Sequence, residues 1–278
     1  MLARSLFSIA LSVCWGLGLA NSALALPINL SADFSGADYG TSDMTLVNGG
    51  GSGAFWVSDP GISPPFGANQ RLRLTSNSGG QRGNAWYNPT TIAANADWTL
   101  DFTFQITYPG GGGADGLAFH IQQLGLGADT SILGHELGAD FLSVTFDSWN
   151  NGDYCSVDWG MAVFNNGSQI GTCVDLSGIG GPDPWAYQVS LVHDDASNAL
   201  TIDVTNVNSG LSTGNLGYTV NLTALDAANF GWSAQTGGAA ENHDIVSFNG
   251  VFEIPEPNTI LLLGLGLIGL KIQRRRRA

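Results

Sequence analysis

Between residues 98 and 107 the chain alternates strictly. Trp98, Leu100, Phe102, Phe104 and Ile106 are interleaved with Thr99, Asp101, Thr103, Gln105 and Thr107. Successive side chains of a strand point to opposite faces, so this run predicts a strand with one buried and one wet face. Leu117, Phe119 and Ile121 alternate in the same way with Ala118, His120 and Gln122, and Leu142, Val144 and Phe146 with Ser143 and Thr145. Further short runs follow at 159–163, 187–191, 200–204, 230–232 and 246–252. Glycine- and asparagine-rich turns separate them at 110–113, 150–152, 165–167 and 237–238. No stretch of the body carries a long helical period. Many short strands divided by turn residues predict one all-β domain, two antiparallel sheets packed face to face.

Both ends depart from this pattern. Arg4 precedes an apolar run, Leu6 to Leu19, and Ala23-Leu24-Ala25 supplies the small-x-small sequence a signal peptidase reads. Residues 1–25 are therefore expected to be a secretory signal peptide; a permanent N-terminal anchor is the competing reading, and the run is short for one. At the other end Pro255-Glu256-Pro257 leads into Thr259–Leu270, almost wholly apolar, then Lys271 and Arg274 to Arg277. A helix of that length covers ~18 Å of a ~30 Å hydrocarbon core, and the arginines should stay cytoplasmic. The expected division is thus a leader at 1–25, a sandwich at 26–254 and a tail at 255–278 with a short transmembrane helix.

Charge narrows the function. Between the two ends lie 22 of the 23 acidic residues but only three of the nine basic ones, Arg71, Arg73 and Arg82, so the body carries 19 net negative charges. Such a surface disfavours nucleic acid and suits hard, oxygen-ligated cations such as calcium. Cys14 leaves with the leader, and the remaining Cys155 and Cys173 are expected to pair in an exported protein.

The chemistry concentrates in Phe146-Asp147-Ser148-Trp149-Asn150-Asn151-Gly152-Asp153. Asp147 ends a strand on the face of Ser143 and Thr145, and the polar turn behind it offers Asn151, Asp153 and main-chain carbonyls. Carboxylate, amide and carbonyl oxygens at short spacing are what calcium takes. An Asx-rich turn that bonds only its own backbone is the alternative.

Several segments, in order, resemble the legume-type (L-type) lectins, bacterial members in particular. Ala114-Asp115-Gly116-Leu117-Ala118-Phe119 is similar to that family's first sugar-binding loop, and Phe146 to Asn151 to its metal loop. Trp185 to Asp203 resembles the strand pair that follows, and Phe230-Gly231-Trp232-Ser233-Ala234 through Glu241-Asn242-His243-Asp244-Ile245 the final pair and its loop. Leu72-Arg73-Leu74-Thr75 and Ala85-Trp86-Tyr87 fit the early strands. The resemblance implies a concanavalin-like jelly roll that binds carbohydrate and is not an enzyme. It implies a cis Ala114–Asp115 peptide, with Asp115 accepting sugar hydroxyls; a lone Asp capping a turn is the plainer reading. Calcium would be held by Asp147, the Trp149 carbonyl, Asn151 and Asp153, with Asp158 as the alternative fourth ligand. Asn151 would also donate to the sugar, the Trp149 ring would stack on it, Gly134 would offer a backbone N–H, and Ala239 and Glu241 would border the site and tune specificity. The family's transition-metal site is not matched: Thr145 stands where a glutamate is needed, and no histidine lies near Asp158 or Trp159. Calcium alone is expected.

The tail resembles the PEP-CTERM sorting signal, which implies cleavage by an exosortase and delivery to the cell surface or exopolysaccharide matrix. His135-Glu136-Leu137-Gly138-Ala139 lacks the second histidine of a zinc-hydrolase motif. Two other functions share the sandwich: a structural matrix protein, and a glycoside hydrolase. Hydrolysis needs paired carboxylates, and the body has just three glutamates, Glu136, Glu241 and Glu253.

Overall fold

The alternating runs fall on strands. A computed structural model of the chain describes residues 27–34, 43–58, 70–107, 113–130, 141–152, 154–181 and 186–253. The expected leader, the expected tail, Gly134, Asp153 and Trp185 lie outside these residues. Among them fifteen strands are formed: β1 (Pro27–Asp33), β2 (Met44–Gly50), β3 (Phe55–Ser58), β4 (Gln70–Thr75), β5 (Arg82–Tyr87), β6 (Trp98–Thr107), β7 (Gly116–Gln122), β8 (Phe141–Asp147), β9 (Gly160–Asn165), β10 (Ser168–Asp175), β11 (Ala186–Asp194), β12 (Ala199–Asn206), β13 (Leu216–Thr219), β14 (Asn229–Gln235) and β15 (Asn242–Glu253). One short 3-10 turn, Ser177–Ile179, follows β10.

The strands make two antiparallel sheets. One runs β13-β12-β11-β6-β15-β4-β3, with β1 also on β15; the other runs β10-β9-β8-β7-β14-β5-β2. The length of β15 explains the extra partner. Its first residues, His243 to Ile245, pair with β4, and its last, Ser247 to Glu253, pair with β1, while β6 flanks it from Asn242 to Val251.

The core lies between the sheets and is aromatic. Trp98, Leu100, Phe102, Phe104 and Ile106 of β6 are buried, while Thr99 is exposed. Phe102 stacks on Phe119 of β7 at 5.7 Å and meets Trp232 of β14 edge-on at 5.8 Å. Phe104 touches Phe146 of β8 at 4.8 Å and Tyr187 of β11 at 5.3 Å. These contacts lock the register of β7, β8 and β14, because slipping a strand by one residue would turn its apolar face outward. Among the described residues no helix is long and apolar enough to cross a membrane.

Candidate functional site

Three strand ends meet at one edge of the seven-stranded sheet. Gly116 pairs with Asp147 of β8 on one side and with Gln235 of β14 on the other. Asp115 continues both ladders for one residue more: its N–H donates to the Gln235 carbonyl at 3.0 Å, and its carbonyl accepts from the Ser148 N–H at 3.0 Å. The Ala114–Asp115 peptide is cis. Gly116 has φ +134°, and a Cβ there would overlap the Phe146 carbonyl, so a glycine is required directly after Asp115. The backbone of Asp115 is thus held by two rigid strands, which is what a loop-end binding group needs.

The Asp115 side chain is buried, and that burial raises its pKa above the usual carboxylate value. Hydrogen bonds from Asn151 and Gln235 oppose the rise, as does the nearby His243, whereas the Glu241 carboxylate adds to it. The Gly237 Cα stands beside this carboxylate; a Cβ there would lie 3.1 Å from Oδ2, so the small residue leaves Asp115 room. Asn151 itself is exposed, and the neighbouring Trp149 ring is 44% exposed.

The loop behind β8 starts from a buried carboxylate. Asp147 is 1% exposed, and its Oδ1 accepts the Trp149 N–H at 3.1 Å. Asn150 makes the same kind of turn, its Oδ1 accepting the Gly152 N–H at 2.9 Å. Both side-chain turns expected of an Asx-rich loop are therefore present. Among the described residues no three His, Cys, Asp or Glu side chains cluster for a metal. A cation here would depend on the Asp147 carboxylate with the Trp149 carbonyl and the Asn151 amide. These are oxygen donors only, a set that fits calcium and not a thiophilic or imidazole-seeking ion. Asp158 is exposed.

On the outer face of the same sheet, beside Asp147, the Cys155–Cys173 disulfide is formed, with Cα atoms 5.3 Å apart. Thr145 and Asp147 pair with Ala162 and Gly160 of β9. Gly160 lies against both sulfurs, since a Cβ would come 2.7 Å from Cys173 Sγ and 2.9 Å from Cys155 Sγ. Phe141, Ala162 and Phe164 pack there with Tyr154 and Val157. An apolar cluster with a disulfide thus covers the strand face next to Thr145.

Glu241, expected to border the site and tune specificity, is buried, its side chain 1% exposed. Oε1 accepts a hydrogen bond from the Ser148 hydroxyl and lies 3.0 Å from His243 Nε2. His243 Nδ1 is 2.6 Å from the Thr75 hydroxyl. Next to this chain, Arg73 makes a two-pronged pair with Asp244 at 2.7 and 2.9 Å. The physical reason is register: β15 starts at Asn242, and the strand draws Glu241 in behind the loop. Ala239 remains partly exposed. Ser148, Gln235, Gly237, His243 and Thr75 support the site and were not singled out from sequence. The same-face spacing of Glu241 and His243, two apart at a strand start, was the available signal.

Comparison with known proteins bears on the fold. Peanut lectin with a 9mer peptide superposes with a TM-score of 0.62 at 21% identity, covering 82% of this chain and 97% of its own. Basic winged bean lectin with Tn-antigen gives 0.60 at 19%, covering 82% and 100%. The body has the L-type lectin fold. By sequence this lectin-fold body is similar to the protein ERGIC-53 of Rattus norvegicus, 28% identical over 234 residues, and to that of Homo sapiens at 27%; either match takes in 79% of this chain. It spans 43% of those relatives' length. Residues 253–277 match the PEP-CTERM protein-sorting motif, the mark of an exported protein with a C-terminal sorting signal. The structural neighbours are recorded as lectins.

Proposed function

We propose that the body is a calcium-dependent lectin of the cell surface or exopolysaccharide matrix, binding a glycan at the strand ends around Asp115. One observation carries the reading: Asp115, its backbone bonded to β14 and to Ser148 at the end of β8, has its carboxylate bonded by the exposed Asn151, two residues after the exposed Trp149 in the same loop. An acceptor, an amide donor and an aromatic platform are the groups that grip a polyhydroxylated ring. The basic winged bean lectin is recorded with Tn-antigen and the Bauhinia forficata lectin with GalNAc; the sugar of this chain is set by its own loops.

Calcium would be held by Asp147, the Trp149 carbonyl, Asn151 and either Asp153 or Asp158, with Gly134 offering its N–H and Ala239 bordering the sugar. The ion would supply rigidity, tying Asn151 and Trp149 to Asp147. Glu241 acts from behind, through Ser148. In this reading residues 1–25 are removed on export, 26–254 form the lectin domain, and 255–278 anchor the chain until an exosortase-type enzyme cuts near Pro255.

A glycan array probed with the exported protein, with calcium and with chelator, tests the proposal. Calcium-dependent signal on a defined set of sugars is expected. No signal under either condition would leave the matrix-protein reading, and release of reducing ends from polysaccharides would establish the hydrolase.

A further inference from the structure

Gln235 meets Asp115 twice. Its main-chain carbonyl accepts the Asp115 N–H at 3.0 Å, and its side chain hydrogen-bonds the Asp115 carboxylate. An ionised carboxylate only accepts, so the amide turns its Nε2 toward Asp115. That orientation leaves Oε1 buried, with no hydrogen-bond partner among the described residues. A buried acceptor without a donor costs stability. A side chain serving the fold alone would satisfy both ends of its amide. This one keeps its donor on Asp115 at the expense of its own oxygen, and a local cost of that kind points to function.

The backbone beneath it is stiff. Gln235 is the last residue of β14, paired with Gly116 of β7 on one side and Arg82 of β5 on the other. The residues after it are clamped to the turn between β4 and β5. Thr236 donates its N–H to the Gln81 carbonyl at 2.9 Å and its hydroxyl to the Ser78 carbonyl at 2.7 Å. The Gly237 carbonyl accepts the Gly80 N–H at 3.1 Å. Asn151, the other side chain on the Asp115 carboxylate, belongs to the loop behind β8. Gln235 is the donor carried by a strand, so its hold on Asp115 depends neither on that loop nor on calcium.

We infer that Gln235 is a specificity-determining residue of the Asp115 site: it holds the carboxylate in one orientation and fills one of its acceptor positions, so that only hydroxyls pointing in the matching direction find the rest. The inference rests on the lectin reading of Asp115. A carboxylate offers about four lone-pair positions. Gln235 and Asn151 each take one. The remainder, fixed in space, discriminate between sugars that differ in the direction of a single hydroxyl.

The test titrates the full chain and its Gln235→Met and Gln235→Glu variants, in calcium, with the methyl α-glycosides of glucose, mannose, galactose and N-acetylgalactosamine. Methionine is close to glutamine in length and has no donor. Gln235→Met should bind the best sugar of the wild type about five- to tenfold more weakly, the loss of one hydrogen bond to a charged group. It should also narrow the affinity ratio between the best and the next-best sugar by about threefold or more. Its thermal midpoint should stay at or above the wild-type value, because the apolar side chain leaves no orphaned oxygen. Gln235→Glu sets a second carboxylate against Asp115 and should abolish binding. Unchanged affinities in Gln235→Met, a loss equal for every sugar, or wild-type binding by Gln235→Glu would overturn the inference while leaving the Asp115 site intact. Wild-type protein that binds none of the four sugars would overturn the lectin reading, and this inference with it.

Discussion

Gly160 sits directly opposite Asp147 across the β8–β9 ladder, and both sulfurs of the Cys155–Cys173 bridge rest on it. The bridge therefore braces the sheet face beside the first residue of the candidate calcium loop. It also holds Cys155 at the far end of that loop to β10. Closing a loop of this separation, 18 residues, stabilises by ~3 kcal/mol in the chain-entropy account. The Cys155→Ser/Cys173→Ser variant should melt at lower temperature and bind calcium more weakly, with both effects read in one calorimetric series. Unchanged calcium affinity would mean that the loop needs no brace.

Glu241 offers a second check. Glu241→Ala strands the Ser148 hydroxyl and His243 in a buried place and should cost about 2–3 kcal/mol of stability. Glu241→Gln keeps an acceptor for Ser148 and should cost less. Chemical denaturation of the two variants checks the order. Equal losses would show that the charge, and not the hydrogen bond to Ser148, is what matters.

Stability should fall on mild acidification through His120. Its ring is fully buried, bonded through Nε2 to Ser233 at 2.7 Å, and burial lowers its pKa to about 3. A histidine kept neutral in the fold but titrating near 6.5 in the unfolded chain contributes stability above pH 6.5. That contribution is lost as pH falls from 6.5 toward 3, by about 2 kcal/mol at pH 5. His120→Gln should flatten the slope of unfolding free energy against pH over this window. A slope identical to wild type would assign the acid sensitivity to other groups.

The sandwich was legible wherever one face of a strand is wet and the other dry. β6, β11 and β12 alternate plainly because they lie in the middle of a sheet whose outer face meets water. β10 and β13 escaped notice because each is an edge strand, partly exposed on both faces, so burial imposes no period on their sequences. Asp115 and the Asp147 loop were readable because their chemistry is local, a glycine after the aspartate and oxygen donors within a few residues. Glu241 was not. Whether a polar residue after Gly237-Gly238-Ala239-Ala240 lies on a rim or behind it depends on where β15 begins and on Thr75, far away in sequence. The apolar cluster around the disulfide was hidden for the same reason, since Phe141, Ala162 and Phe164 come together only through pairing.

Calcium should raise the thermal midpoint of the body. Binding to the folded state alone adds ~2.7 kcal/mol at a hundredfold excess over Kd. Melting curves with excess calcium and with chelator should separate by several degrees, and magnesium should substitute poorly, since it demands a tighter octahedron. Superimposable curves would remove the ion from the account.

The central claim is that Asp115 receives a sugar. Asp115→Ala removes a charged acceptor from a place fixed by backbone hydrogen bonds that the substitution leaves in place. Titration of the wild type and of Asp115→Ala with a glycan selected on the array, in calcium, tests this most directly. The variant should lose ~1.5–3 kcal/mol of binding, at least about tenfold in affinity, while calcium affinity and melting temperature stay near wild type. Wild-type glycan affinity in a well-folded Asp115→Ala protein would contradict the claim.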